Sequence, residues 1–337
     1  MHHRHFPAFA ALFLLLPTIM LGACGSGVPV ADAGLEMADP AERRLIALTD
    51  LDQRVARVGY RLSAANADLC PVVRSSAGWL VHAASQYSPE LRPHAEARFG
   101  LDGDLPGLLA VPEGSSAAHA GLRRGDLILS VNGQALSRGP ERRAAVFEGL
   151  EANIQRLDLA LARGTADLIV RRGDAEQAVS VTPHRACGYD VQLDPSAELN
   201  ARADGKRLFI TTAMAGFAAT DDELALVLGH ELAHHVLGHQ NWHAAETRGR
   251  QTQTVPALDG AAGGRERQAD RVGLYLAARA GFDTSIAPAF WRRFGAYNWR
   301  VRFPQWNHPS AESRARALEQ VQAEISALQA AGRPLIP

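Results

Sequence analysis

Residues 224–236 form an unusually apolar segment whose ionisable side chains include His230, Glu231 and His234 at helical spacing. A capping-box pattern at 220–223 precedes the segment and predicts a helix start. Because residues four apart share one helix face, both imidazoles can reach a single ion about 2.0–2.1 Å away. Without a partner, these polar groups would carry a large desolvation cost in such a helix. The sequence therefore predicts a metal centre inside the core.

A second helix, predicted from about Arg265 to Gly281, offers the remaining ligand for such a centre. Catalytic zinc sites use three protein ligands and leave one coordination position open. Glu266 is therefore predicted to complete the ligand set of His230 and His234. Asp270 lies one turn later, where its carboxylate can hydrogen bond the far nitrogen of a ligating His.

Glu231 lies about 100° round the helix from His230. There its carboxylate can take a proton from a water molecule activated by the metal, so Glu231 is the predicted catalytic base. His235 is offset by the same angle from His234 and is not a predicted ligand. His239 belongs to the same His-rich stretch, but a residue of this kind is more often a structural hydrogen-bonding residue than a ligand.

Composition limits the classes of protein to which this chain can belong. It has 337 residues and a net charge of −1, and 47% of its residues are hydrophobic. At roughly 150 residues per domain, this length suggests two domains with substantial cores. The near-zero net charge and the lack of a Lys/Arg stripe argue against nucleic-acid binding. The one long apolar run, Phe6–Met20, is too short to span a bilayer, so a multi-span membrane enzyme is excluded.

The N-terminal region is predicted to direct export. The apolar run follows a short basic stretch, which is typical of a secretory signal, here residues 1–23. Residues 21–24 read LGAC and resemble a bacterial lipobox. Cys24 is therefore predicted to carry a lipid that anchors a soluble body through a tether over 24–38, and an ordinary cleavage site is the alternative. By resemblance to known lipoproteins, Gly25 favours the periplasmic face of the outer membrane in a cell that has one.

The chain has three Cys, and lipidation of Cys24 leaves Cys70 and Cys187. An exported protein meets an oxidising compartment, in which such a pair is expected to form a disulfide. Two buried free thiols are the alternative. The disulfide would join the segments on either side of a long insert.

The order of sequence patterns predicts an α+β chain in which a β-rich insert interrupts a mainly helical domain. The sequence DPAE at 39–42 predicts a helix start, and apolar residues at three- and four-residue steps continue to about Leu69. Turn-rich short strands follow, with a hairpin predicted at Arg172-Gly173-Asp174, before the pattern becomes helical again and ends in a helix over about 310–330. The expected divisions are an N-terminal helical part at 39–93, the insert at 94–184 and the remaining helical domain at 185–337.

Residues 220–239, TDDELALVLGHELAHHVLGH, resemble the HtpX-type zinc metallopeptidases, which include the CAAX prenyl endopeptidases and BepA-like periplasmic proteases. The hallmarks of that family are HExxH, a downstream helix with ExxxD, and a late His-Pro…Arg element. This chain matches them at 230–234, at 266–270, and at His308-Pro309 with Arg314. The resemblance covers about 190–320 and the first helix near 40–70.

The resemblance implies a zincin-type domain that holds one Zn²⁺ per chain and hydrolyses peptide bonds. It implies that the strand at 207–212 is an edge strand of a small sheet, to which substrate adds as a further strand. It makes His308 and Arg314 candidates for the rim of the active site and the surroundings of the ligands. His308 would bind an oxyanion or approach the open metal position, and a loop His that caps the last helix is the alternative. The polar stretch at 240–264 resembles the soluble branch of the family.

Residues 112–133 resemble a PDZ domain of the protease-associated kind. Asn132-Gly133 is a strong hairpin signal, and Glu141–Ile154 is predicted to form the helix beside the peptide groove. PDZ domains add a peptide C-terminus as a strand and hold its carboxylate with backbone amides. By position, Phe99, Gly100 and Leu101 are the predicted carboxylate-binding loop. A PDZ-like spacer or lid without a ligand is the alternative.

Together these features predict a lipid-anchored, zinc-dependent endopeptidase that acts on envelope proteins, plausibly in quality control. The PDZ-like insert would recognise or gate protein substrates, and the only membrane contact would be the N-terminal lipid. The alternative is a non-catalytic, peptide-binding or chaperone-like envelope lipoprotein. Against it stands Glu231, since a purely structural metal site has no need of a general base. The sequence leaves the oligomeric state open.

Overall fold

The structure is a computed structural model that describes residues 39–140, 144–239, 262–297 and 310–337. The predicted signal and tether, with Cys24, lie outside the described residues. Among the described residues, no helix combines the length and the hydropathy that a membrane-spanning helix requires.

The described part of the chain consists of helices and of strands that form three sheets. The helices are α1 (Pro40–Ala65), α2 (Arg92–Phe99), α3 (Ser116–His119), α4 (Glu148–Ala162), α5 (Thr212–Phe217), α6 (Asp221–Val236), α7 (Ala262–Arg279), α8 (Ala287–Tyr297) and α9 (Ala311–Ala330). The strands are β1 (Val73–Ser76), β2 (Leu80–His82), β3 (Gly107–Ala110), β4 (Leu127–Val131), β5 (Gln134–Ala135), β6 (Ala166–Arg172), β7 (Ala175–Val181), β8 (His184–Cys187), β9 (Asp190–Asp194), β10 (Ala201–Ala203) and β11 (Arg207–Thr211). This order confirms the predicted α+β class.

Helix α1 begins as the sequence predicts. The side chain of Asp39 accepts a hydrogen bond from the backbone N–H of Ala41 at 2.9 Å, and Pro40 occupies the first turn. The helix ends at Ala65, short of the predicted limit at Leu69. It ends there because the buried side-chain amide of Asn66 turns back and donates to the carbonyl of Leu62 at 2.8 Å. The same amide donates to the carbonyl of Leu276 on α7 at 3.0 Å, so it also ties the two helices together.

The helical domain has one core, which α1, α6, α7, α8 and α9 share with the small sheet of order β10-β11-β9. Leu62 of α1, Leu228 of α6 and Tyr275 of α7 are among its fully buried side chains. Phe290 of α8 and Ile325 of α9 close the core from the other side. Segments from both ends of the described chain therefore build this domain, as the sequence pattern predicts.

Strand β11 lies in the centre of its sheet, so the prediction that residues 207–212 form an edge strand is wrong. One side of β11 pairs in parallel with β9, with Arg207 opposite Asp190. The other side pairs antiparallel with β10, with Ile210 opposite Ala201. Because both rows of its backbone groups are paired, a substrate strand has no room to add there. In the described part of the chain, the edges of this sheet belong to β9 and β10.

The insert is built on a six-stranded sheet of order β2-β3-β4-β6-β7, in which β5 pairs with β4. Two of its turns are of the predicted kind. Asn132 and Gly133 both have positive φ, 48° and 75°, and join β4 to β5. Gly173 and Asp174 join β6 to β7, with Arg172 opposite Ala175. Such two-residue connections match the twist of the flanking strands.

The insert differs from the prediction at two places. Its sheet includes β2, so it begins before the expected border at residue 94; a strand of three residues is too short to show a clear alternation. The helix beside the groove is α4, Glu148–Ala162, not Glu141–Ile154, and residues 141–143 lie outside the described residues. Phe147 occupies the N-cap of α4 and makes no side-chain cap hydrogen bond, so the usual sequence signal for a helix start is missing.

The insert leaves and rejoins the helical domain at one place. Cys70 and Cys187 form a disulfide with a Cα–Cα distance of 5.5 Å and a sequence separation of 117. Next to it, β1 pairs antiparallel with β8, with Val73 opposite Cys187. In the chain-entropy description, closing a loop of this length contributes roughly 4–5 kcal/mol to the free energy of unfolding.

A half-buried carboxyl group on α1 makes the stability of the protein depend on pH. Burial raises the pKa of Asp52 from 3.8 to about 7. The folded protein therefore holds a proton between about pH 4 and pH 7 that the unfolded chain releases. The stability that this proton provides is fully present below pH 4 and is lost as the pH rises through 7.

We expect Asp52→Asn to abolish this loss, because an amide does not ionise. At pH 8 the variant should be more stable than the parent by about 1–2 kcal/mol, and at pH 4 the two should be alike. Thermal unfolding from pH 4 to pH 8.5 measures the difference. If the stability of the two proteins changed with pH to the same extent, Asp52 would not be the group responsible for the loss.

Candidate metal centre

Helix α6 carries the HExxH residues into the core of the helical domain. The side chain of Thr220 accepts a hydrogen bond from the backbone N–H of Glu223 at 3.2 Å, so the helix begins at the predicted capping box. His230 and Glu231 are 7% and 9% exposed. His234 is half-buried, one turn further on. The three side chains therefore lie in a mostly apolar environment, where a charge is costly without a partner.

The side chains of His230, His234 and Glu266 converge on one point between α6 and α7. Their candidate ligand atoms all lie within 4.8 Å of one another. The two Nε2 atoms are 3.2 Å apart, and the Glu266 oxygens lie 3.4 Å from Nε2 of His230 and 3.7 Å from Nε2 of His234. Ligand atoms that bind one ion tetrahedrally at about 2.0–2.2 Å lie roughly 3.3–3.6 Å apart. The residues therefore fit a single tetrahedral metal ion.

Two glycines allow α6 and α7 to approach closely at this point. A Cβ atom at Gly229 would lie 2.8 Å from the carbonyl oxygen of Gly273, and a Cβ at Gly273 would lie 2.7 Å from the backbone nitrogen of His230. A side chain at either position would push the helices apart and move Glu266 away from the His pair. Sequence reasoning missed these residues, although a Gly inside each of two predicted helices is a recognisable signal.

A buried ion pair supports His230 on the side away from Glu266. Oδ1 of Asp270 lies 2.9 Å from Nδ1 of His230, so Asp270 accepts the Nδ1 proton and Nε2 faces the other ligands. Arg314, 6% exposed, donates to both oxygens of Asp270, with 2.8 Å between Nε and Oδ2. Its guanidinium group lies over the ring of Trp291, 3.6 Å from the ring centre. Arg314 is therefore buried behind the ligands and not at the rim of the site, because α9 packs against α7.

The protonation of the site follows from burial and from these contacts. Burial raises the pKa of Glu231 to about 7, a value that suits a general base near neutral pH. Burial also lowers the pKa of His234 to about 3, so this imidazole is neutral. For His230 burial acts in the same direction, but Asp270 and Glu266 outweigh it and raise the pKa to about 9. For Glu266 burial favours the neutral acid, yet His230 and nearby positive charges lower the pKa to about 2.

Of the other predicted residues, His235 does not join the ligands. Its Nε2 lies 3.3 Å from the carbonyl oxygen of Arg207, and its ring stacks on Tyr189 with 4.0 Å between ring centres. These contacts tie α6 to β11. His308 lies outside the described residues, so its proposed place near the metal stays a prediction, and the stretch 240–261 lies outside them as well.

Comparison with known families agrees with this geometry. Residues 171–262 match peptidase family M48. The resemblance inferred from the motifs is thereby confirmed, and the match supports a metallopeptidase. The matched residues include His230, Glu231 and His234 but stop before Glu266, so the assignment of Glu266 and Asp270 depends on the distances above.

The insert also matches a known family, since residues 108–148 match the PDZ domain. Among solved structures, one described as the HtrA3 PDZ domain bound to a phage-derived ligand (FGRWV) is 22% identical, with a TM-score of 0.25. The similarity covers 34% of this chain and 92% of that one. A search of curated proteins found no match. The chain thus combines a segment that matches a metallopeptidase family with a segment that matches the PDZ domain.

In the loop predicted to bind a peptide carboxylate, one backbone amide is already engaged. Phe99 ends α2, and the N–H of Gly100 already donates to the carbonyl of Glu96 at 2.9 Å. Phe99 and Leu101 are 5% and 7% exposed, so both side chains belong to the core of the insert. The peptide-binding role of these residues stays a prediction.

Hydrogen bonds also tie α4 to the loops around it. The side-chain amide of Asn153, which is fully buried, donates to the carbonyls of Asp104 and Ser137, each at 2.8 Å. Ser85 bridges the same region: its N–H donates to the carbonyl of Gly103 at 3.2 Å, and its carbonyl accepts from Val146 at 2.8 Å. These bonds hold α4 and the segment before it against the loops at 103–104 and 137.

Proposed function

We propose that this protein is a zinc-dependent endopeptidase. The observation that carries the proposal is the convergence of His230, His234 and Glu266 at tetrahedral spacing beside the buried carboxyl group of Glu231. Two His and one carboxylate are a ligand set typical of catalytic zinc, which keeps one position open. A structural site has no need of Glu231, so the non-catalytic alternative leaves this residue without a role.

Glu231, Asp270 and Arg314 have separate roles in the proposed hydrolysis of a peptide bond. When bound, zinc supplies Lewis-acid polarisation of water and of the substrate carbonyl. Glu231 takes the proton of the attacking water and then gives it to the leaving amine, for which a pKa near neutrality is suitable. Asp270 fixes the tautomer and orientation of His230, and Arg314 holds Asp270 in place.

We further propose that the PDZ domain gates access of protein substrates to this centre. The bonded amide of Gly100 favours a gating role over capture of free C-termini. The domain is well placed for gating because the Cys70–Cys187 disulfide and the β1–β8 pair fix both of its ends to the helical domain. Recognition of an internal peptide segment is compatible with the same arrangement.

The proposed location is the periplasmic face of the outer membrane, with lipidated Cys24 as the anchor. The lipobox-like sequence LGAC at 21–24 supports it, as does the disulfide, since disulfides persist in oxidising compartments. The proposed substrates are misfolded or unassembled envelope proteins, in keeping with a quality-control role.

Metal removal tests the proposed activity. Treatment with a zinc chelator is expected to reduce casein hydrolysis by at least about tenfold, and stoichiometric zinc should restore it, since the three ligands alone cannot activate water. Purified protein from residue 25 onward, assayed with fluorescently labelled casein, provides the measurement. Hydrolysis that continues unchanged in the metal-free protein would refute a zinc mechanism. A protein that binds zinc and casein but never cleaves would support the peptide-binding alternative.

A further inference from the structure

His239 follows the C-terminal end of α6 and contacts His234 on the side that faces away from Glu266. Nδ1 of His239 lies 2.9 Å from Nδ1 of His234. The other nitrogen of His239, Nε2, lies 3.2 Å from Oε1 of Gln268 on α7. Both ring nitrogens of His239 are therefore engaged, so this residue is not itself a metal ligand. The three side chains form a chain of hydrogen bonds from α7 to the metal centre.

The direction of each hydrogen bond in this series follows from Gln268. An amide oxygen can only accept, so Nε2 of His239 carries the proton that Oε1 of Gln268 receives. In a neutral imidazole the other nitrogen is then an acceptor, and Nδ1 of His239 accepts the Nδ1 proton of His234. Nε2 of His234 is left unprotonated, and it is the atom that lies 3.2 Å from Nε2 of His230.

The arrangement parallels the one around His230. There Asp270 accepts the Nδ1 proton at 2.9 Å, and Nε2 faces the metal position. Among the described residues no carboxylate contacts Nδ1 of His234; the neutral His239 fills that place. Each His ligand thus has one hydrogen-bond acceptor behind it, and both acceptors depend on α7, which also carries Glu266.

We propose that His239 and Gln268 are positioning residues that fix the tautomer and orientation of His234 for metal binding. The inference rests on the proposed metal centre and deepens it. Removing a partner of this kind typically weakens metal binding 10- to 100-fold. His239→Ala is therefore expected to raise the dissociation constant for zinc about 10- to 100-fold. Gln268→Leu is expected to raise it by a smaller factor, because His239 keeps its contact with His234.

Conservative variants show whether His239 and Gln268 act through their hydrogen bonds or only through the volume of their side chains. His239→Asn is expected to stay within about threefold of the parent, since its side-chain oxygen can still accept from Nδ1 of His234. Gln268→Glu should also retain binding, because a carboxylate can only accept. His235→Ala is the matched control: it removes a neighbouring His that bonds Arg207 and not the ligands, so it should lower thermal stability and leave zinc affinity unchanged.

Zinc affinity, measured by competition with a fluorescent chelator, and thermal unfolding of the metal-free protein give the two readouts. The proposal is overturned if His239→Ala binds zinc as tightly as the parent, or if His239→Asn binds as weakly as His239→Ala. If the parent protein bound zinc but cleaved nothing, the proposed function would be wrong. The zinc affinities of the parent and the His239 variants would still test the positioning role. A parent protein that binds no zinc would overturn both.

Discussion

Replacement of Glu231 by Gln is expected to reduce peptide hydrolysis by about 10²- to 10⁴-fold. The amide has nearly the same shape as the carboxyl group, but it cannot take a proton from the attacking water. The two His ligands and Glu266 remain, so zinc should still bind with a stoichiometry of about one per chain. Labelled casein and a short fluorogenic peptide measure the rate, and metal analysis measures the zinc content.

Glu231→Asp provides the comparison, since it keeps a carboxylate but withdraws it by one methylene. Its activity should fall less than that of Glu231→Gln. Thermal unfolding with and without zinc shows whether each variant is folded. If Glu231→Gln retained full proteolysis at normal zinc content, another group would have to act as the base and the proposed mechanism would fail.

Replacement of Arg314 by Met is expected to lower the free energy of unfolding of the metal-free protein by about 3–5 kcal/mol. Arg314 and Asp270 are both 6% exposed, and each satisfies the charge of the other. Removing the guanidinium group leaves the Asp270 carboxylate buried without its strongest partner. Because Asp270 orients His230, zinc affinity should fall together with stability. Urea unfolding monitored by Trp fluorescence measures the first effect.

Two further variants test this explanation. Arg271→Met breaks a surface ion pair with Glu324, whose members are 40% and 44% exposed, and it should cost less than about 1 kcal/mol. Asp270→Leu combined with Arg314→Met should recover much of the lost stability, because an apolar pair replaces the buried ions. It should not recover zinc affinity. Equal losses of unfolding free energy for Arg314→Met and Arg271→Met would show that the buried ion pair contributes no more to stability than the surface pair.

Features that depend on spacing within one segment were predictable from the sequence. HExxH places His230 and His234 on one face of a single helix, so their convergence needs no knowledge of the rest of the fold. The turns at Asn132-Gly133 and Gly173-Asp174 depend on local backbone preferences. Glu266 was predictable because it belongs to a second short motif on another helix. The match to the M48 family confirmed the resemblance that these motifs suggested.

Features that depend on which distant segments become neighbours were not predictable in this way. The strand at 207–212 has the composition of a half-buried strand whether one or both of its sides are paired, and only the positions of β9 and β10 put it in the centre. Gly100 looks the same in a carboxylate-binding loop and at a helix end. The structure shows that its N–H is already used by Glu96.

The sequence by itself determined the residue types of the candidate metal centre, because the proposed ligands and the proposed general base lie a few positions apart on two helices. Only the tertiary structure decided how these residues are supported. Gly229 against Gly273 sets the helix separation, Arg314 reaches Asp270 from a third helix, and Gln268 reaches His239 across α6 and α7. Such contacts form between side chains that are far apart in the chain, and a hydrogen bond or a close approach leaves no periodic signal in the sequence.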